Sequence, residues 1–477
     1  YSLNARVNLR LYFICGVKKR LEHFRFDNEN GELFLNFALF FVNIKLFLVY
    51  STEQLEHGAI ILYVLGAVYF FTLLAVVCND YFLPSVECIC QDLNIPKDVA
   101  AATFMATATT MPEFFTNTIS TLVTNSDMGL GTIIGSLMFN TLGVAALSGM
   151  ALNKSLQLDW WPVTRDCIFY SVNTIVLISI AWGGVITFTE SLVMVILCLT
   201  YYVVIFVFNY FLVKPIKVLV EDKMNCCAPQ RYDLTSLPEN NSKINLAEEE
   251  SIPGQDGIYT IRQSGNPIKH LFEMPTGTLR KKLWFFYSWP IKFFLGCLVP
   301  NPKFCRRFYP LTFLFCIILI GANAYLIVWM LTIFGNTIRV PDIVMGLTFL
   351  AAGSAMPESL SSVISVRKGE SGIGVSNALG ANSLAILLSL GAPWFAKNCL
   401  NYGKPDGQDV IHIYSQGIEY TIGILLLSTL ALFIIMSFAR FRLKRTVGFV
   451  LISVYAVFIT LQILIEMNVF FPPRTDC

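Results

Sequence analysis

The sequence predicts an all-α polytopic membrane protein with ten transmembrane helices, arranged as two inverted five-helix repeats that each contain one helical hairpin (an α-repeat). Three observations predict it. The 477 residues are 55% hydrophobic and 14% charged, with mean hydropathy +0.61, whereas soluble domains carry about 25% charged residues. Apolar stretches of membrane-crossing length come in two sets of five. The phrase Met-Pro-Glu occurs twice, ending at Glu113 and Glu358, an offset of 245 residues (358 − 113). The register holds around it: Thr103 and Phe104 match Thr348 and Phe349, Ala106 matches Ala351, Gly129 matches Gly374 and Gly135 matches Gly380.

Taken in order, residues 1–51 form a polar, basic start followed by an apolar run at 32–50. That run reads as a signal sequence, an anchor or an extra span, with Asn36, Asn43 and Lys45 against a simple span. The first repeat, 52–213, has apolar segments near 57–84, 99–123, 128–151, 166–187 and 190–213. Residues 214–308 read as a cytosolic loop, polar from 214 to 282, with an interfacial helix at 283–300 interrupted by Pro290. The second repeat, 309–477, has segments near 309–334, 343–366, 371–394, 418–437 and 446–466. Five is odd, so the second set must enter the membrane with opposite orientation, as in secondary transporters. Arg367, Lys368, the run Arg440, Arg442, Lys444, Arg445 and the start of the long loop then share one side. By the positive-inside rule that side is cytosolic. Asp98 reads as the cap of the helix that opens at Val99, and Asp80 as interfacial.

Composition also excludes function classes. A net charge of +2 and the lack of a basic aromatic patch give no reason to expect nucleic acid as a partner. The four histidines (His23, His57, His270, His412) fall outside or at the edges of apolar runs, which argues against a proton relay or an intramembrane enzyme. The 13 cysteines show no C-x-x-C pair or zinc spacing and read as free thiols. No cofactor is expected.

The chemistry concentrates at the repeated phrase. A carboxylate near the bilayer centre costs at least about 2.5–3.5 kcal/mol and is seldom idle. Here there are two, each after a proline that removes a backbone donor and frees a carbonyl one turn back. Small or hydroxylated residues precede each proline: Ala108, Thr109 and Thr110 in one half, Gly353, Ser354 and Ala355 in the other. A broken helix offering oxygens beside a carboxylate suits a hard cation. The next helix of each hairpin adds Ser136 and Asn140 in the first half and Asn382 in the second. Taken singly, these three are interhelical hydrogen-bonding groups as readily as ligands.

With these residues in view, the chain resembles the potassium-dependent sodium/calcium exchangers of the cation/calcium exchanger superfamily. The resemblance rests on V-V-C-N-D-Y-F-L-P-S-V-E-C-I-C-Q-D-L at 76–93, both repeats, and P-D-I-V-M-G-L-T-F-L-A-A-G at 341–353. It implies alternating access, with Na⁺ moving one way and Ca²⁺ the other, and K⁺ carried with Ca²⁺. It also implies that Glu113 and Glu358 are the main Ca²⁺ and Na⁺ carboxylates. Thr109, Thr110, Ser136, Ser354 and Asn140 would then supply further oxygens, as would the carbonyls of Ala106 and Ala351. This sequence departs from the family pattern at Ala355 and Ala381, where serine is usual, and at Ala385, where the family has the aspartate associated with K⁺. Glu358 stands where aspartate is usual. The expectation is therefore Na⁺/Ca²⁺ antiport across the lipid bilayer with K⁺ dependence weakened or lost, in the plasma membrane rather than an organelle. The alternative is a degenerate member that binds or regulates without transporting.

Overall fold

The computed structural model describes residues 60–93, 95, 101–152, 155–158, 160–208, 279–299, 308–367, 373–401, 410–413, 417–467 and 469. The apolar run at 32–50, the cap expected at Asp98 and the loop from 214 to 278 lie outside them. Each of the ten expected segments falls on a helical run, but the ends differ. The first runs from Ile60 to Asp92, longer than expected, because Pro84 enters at the start of a helical piece, where its missing N–H costs nothing. The fourth begins at Trp160 rather than 166. Among the described residues, seven helices are long and apolar enough to cross a membrane, and Phe188–Val204 and Asp342–Ser354 are shorter apolar helices.

The expected break at Pro290 does not occur. Leu279–Leu298 is one helix with the proline inside it. It buries Ser288, Ile291 and Leu295, and Tyr287 meets Thr72 hydroxyl to hydroxyl at 3.1 Å. Packing on the 60–92 helix thus continues past the missing hydrogen bond.

Two-residue strands close each end of the molecule. Leu156–Gln157 pairs antiparallel with Arg442–Leu443, and Val185–Ile186 pairs antiparallel with Ile411–His412. The first pair joins the start of helix Trp160–Ala181 to the end of helix Ile418–Phe438; the second joins the opposite ends of the same helices. These two helices pack against each other and therefore run antiparallel.

The halves interlock throughout. Helix 128–138 packs on 346–354, 188–208 on 391–401, and 144–151 on 445–466. Backbones meet where small residues allow it: a Cβ at Gly135 would stand 2.2 Å from the Leu347 carbonyl, and one at Gly346 would stand 2.2 Å from the Met128 carbonyl. In lipid, where apolar burial adds little drive between helices, close packing of this kind carries the association. A second cluster joins the 60–92 and 309–338 helices, with Asn323 Nδ2 donating to the Phe70 carbonyl at 2.9 Å.

Candidate functional site

Both Met-Pro-Glu helices are broken in the same way. Thr110 (φ −86°, ψ −1°) separates Ala106–Thr109 from Met111–Ile119, and Ala355 (φ −82°, ψ −2°) separates Ala351–Ser354 from Met356–Arg367. Both residues lie in the sparsely populated bridge region, two positions before a proline that cannot continue the hydrogen-bond ladder. A π turn precedes each break, at Ala101–Met105 and Gly346–Leu350, again 245 residues apart (346 − 101). Glu113 and Glu358 therefore fall in the first turn of a new helical piece. The unpaired N–H groups and positive dipole end there favour a carboxylate that the surroundings otherwise would not.

Both carboxylates are buried, Glu113 at 2% exposure and Glu358 at 8%, and they lie within Coulombic range of each other. Ser354 of the second half stands beside Glu113, while Thr109 and Asn140 of the first half stand beside Glu358. Each glutamate thus faces groups from the other repeat. Yet Oε2 of Glu113, both oxygens of Glu358 and Oδ1 of Asn140 accept no hydrogen bond. The hydroxyl geometry explains this. Thr109 donates to the Ala106 carbonyl (2.9 Å), Thr110 to Thr107 (3.0 Å), Ser136 to Ile133 (3.0 Å) and Ser354 to Ala351 (3.2 Å). A hydroxyl has one proton and two lone pairs. With the proton committed to its own helix, each oxygen can only accept. What gathers around the carboxylates is an excess of acceptor oxygens, with the Asn140 amide as a donor beside Glu358, and such an excess is the electrostatic requirement for a cation. Among the described residues no three His, Cys, Asp or Glu cluster, so neutral oxygens must complete any coordination shell.

The predicted residues differ in what surrounds them. Glu113, Glu358, Thr109, Ser354 and Asn140 come together. Thr110 and Ser136 are buried with their hydroxyls turned to their own helices. The Ala106 and Ala351 carbonyls each receive two donors already, a side-chain hydroxyl and the backbone N–H of Thr110 or Ala355. Asn382 donates to Thr141 Oγ1 (3.0 Å) and the Leu137 carbonyl (3.4 Å), so its amide ties it to the first-half hairpin; its Oδ1 has no partner. Ala355, Ala381 and Ala385 are buried, and Ala385 belongs to an apolar cluster with Ile133, Leu137 and Tyr170.

Two neighbours escaped the sequence reading. Cys78, on the 60–92 helix, lies within Coulombic range of both glutamates. Asn117 is fully buried one turn beyond Glu113, with Nδ2 donating to the Ser389 carbonyl at 2.7 Å. The file Glu113, Asn117, Thr121 at four-residue spacing was the available signal for Asn117.

Comparison with known proteins shows the family. The profile described as "Sodium/calcium exchanger protein" matches residues 63–210 and 308–464, both halves and not the stretch between. The chain belongs to the sodium/calcium exchanger family. Sodium/potassium/calcium exchanger 4 of Mus musculus is 31% identical, over 88% of this chain and 84% of its own length. The Homo sapiens protein of that name is 30% identical with the same coverage. Sodium/potassium/calcium exchanger 5 of Homo sapiens is 30% identical, over 88% of this chain and 86% of its own. Among solved structures, the sodium-calcium exchanger NCX_Mj is 17% identical, covering 84% of this chain and 99% of that one, with a TM-score of 0.44.

Proposed function

We propose that this exchanger-family protein is a multi-pass secondary antiporter that moves Na⁺ against Ca²⁺ by alternating access at the Glu113–Glu358 site. The observation that carries the reading is the excess of acceptors: buried carboxylate oxygens without hydrogen bonds, beside hydroxyls whose protons are committed elsewhere. Two carboxylates balance one Ca²⁺, or Na⁺ ions in its place. Glu113, Glu358, Thr109, Ser354 and Asn140 are the core ligands of the proposal, with Thr110, Ser136 and Asn382 at its margin. The Ala106 and Ala351 carbonyls join only if they release a donor. Sodium and calcium both appear in the names of the matched relatives.

The proposed architecture is ten spans in two inverted repeats, 52–213 and 309–477, with 214–308 on the cytosolic side and the whole in the plasma membrane. Its support is the antiparallel run of helices 160–181 and 418–438 fixed by the two strand pairs, together with the repeated breaks 245 residues apart (355 − 110). Potassium is named in those relatives too. Here Ala385 puts a methyl group among apolar side chains, which favours transport without K⁺. The test is Na⁺-gradient-driven ⁴⁵Ca²⁺ uptake into proteoliposomes with and without K⁺. Uptake that follows the Na⁺ gradient and ignores K⁺ is expected, and no gradient-driven uptake under either condition would overturn the proposal.

A further inference from the structure

A water-accessible cavity of about 490 Å³ opens at the end of the molecule that carries the Val185–Ile186 and Ile411–His412 strand pair. That is the end opposite Arg442 and Leu443. Its lining includes Thr121, Asp127, Trp394, Lys397, His412 and Asn117, the last one helical turn from Glu113. The cavity therefore leads toward the carboxylates from the face opposite the basic one. Asn117 in turn donates to the Ser389 carbonyl at 2.7 Å.

Such a vestibule on a cation path would be expected to concentrate cations through its own carboxylate, Asp127. Instead it also contains an ammonium group. Lys397 Nζ donates to Asn125 Oδ1 at 3.0 Å and lies within Coulombic range of Asp127. Both Asn125 and Asp127 line the same cavity. The amide holds the charge in place, and among the described residues Lys397 offsets the one carboxylate of the wall.

We propose that Lys397 is a specificity-determining residue: a tethered positive charge in the vestibule that disfavours divalent over monovalent cations on their way to Glu113. This rests on the antiport reading above. The physics makes a quantitative demand. A fixed potential changes the local concentration of an ion of valence z by a Boltzmann factor raised to the power z. If removing the charge raises Na⁺ access by a factor f, it must raise Ca²⁺ access by f². For one partly screened charge at a solvated mouth, f of about 2 is expected near 10 mM salt, hence about 4 for Ca²⁺, with both falling toward 1 at 1 M salt.

The experiment compares wild type, Lys397→Gln and Lys397→Arg in sided vesicles. Initial fluxes are measured at sub-saturating ion presented to the vestibule face, at low and high ionic strength. The proposal expects Lys397→Gln to show the squared relation at low salt only and Lys397→Arg to match wild type. Ions presented to the opposite face should be handled as before. Equal changes for Na⁺ and Ca²⁺, equal effects of Gln and Arg, or effects that survive 1 M salt would overturn it. Wild-type vesicles without flux would instead refute the antiport reading itself, so the two failures are distinguishable.

Discussion

Replacing Gly135 by alanine tests whether the close approach of the two hairpins sets the geometry of the site. The added Cβ would stand 2.2 Å from the Leu347 carbonyl oxygen and 2.6 Å from the Ala351 Cβ. A carbon tolerates a carbonyl oxygen at about 3.3 Å, so the helices must part by about 1 Å. Both obstacles belong to a neighbouring helix, one of them backbone, so no side chain can swing away. Overpacking of this kind costs roughly 1–3 kcal/mol. The larger consequence is functional. Ser136 is the next residue, and Ala351 opens the piece that carries Ser354, so the ligands proposed from the two halves are driven apart by a distance that coordination does not forgive. Gly423→Ala is the control, since nothing stands within 4 Å of a Cβ there and alanine favours a helix by about 1 kcal/mol. Both variants are purified in detergent, and unfolding midpoint and reconstituted ⁴⁵Ca²⁺ flux are measured. Gly135→Ala should lose stability and most of its flux, and Gly423→Ala neither. Wild-type flux in Gly135→Ala would refute the claim that helix contact fixes the site.

Three other outcomes are expected. Glu113→Gln and Glu358→Gln should each lower Ca²⁺ flux at least roughly tenfold with folding intact, because 1.4 kcal/mol suffices for that factor and one close charge contributes more even at an effective dielectric of about 20; unchanged flux in either would remove it from the site. Thr109→Val should weaken half-saturation by Ca²⁺ while Thr109→Ser retains it, since only the oxygen matters once the proton is committed to Ala106; equal behaviour of the two would show that the hydroxyl oxygen plays no part. Asn323→Ala should lower the unfolding midpoint by the equivalent of about 0.6–1.7 kcal/mol, the range for interhelical hydrogen bonds in membranes, because it removes the bond to Phe70; an unchanged midpoint would mean that apolar packing alone holds helices 60–92 and 309–338 together.

The duplication was plain in the amino acids because it is written in a rare phrase at fixed spacing, and the coordinates repeat it down to backbone angles at Thr110 and Ala355. Helix ends were less legible. The start at Trp160 depends on Leu156 of strand Leu156–Gln157 meeting Leu443, 287 positions later (443 − 156), which no local pattern encodes. Pro290 misled for a related reason, since tertiary packing outweighed the local breaker. In the site, residue types pointed to a cation, but the direction in which each hydroxyl donates could not be read from letters. That direction is what turns threonines and serines from ordinary helix residues into acceptors. Asn117 was visible only as a period-four neighbour of Glu113, a pattern shared by every helix.

The interlocking of the two halves bears on how such a chain could have arisen. Each hairpin is completed by the opposite half, through contacts such as 128–138 on 346–354, so one half alone would leave its polar carboxylate facing hydrocarbon. On the proposed inverted arrangement, a precursor of half the length could have worked only by inserting in both orientations and pairing with an upside-down copy of itself. Severing the present chain within 214–278 and co-expressing the pieces re-enacts that pairing, and the two should find each other in the bilayer.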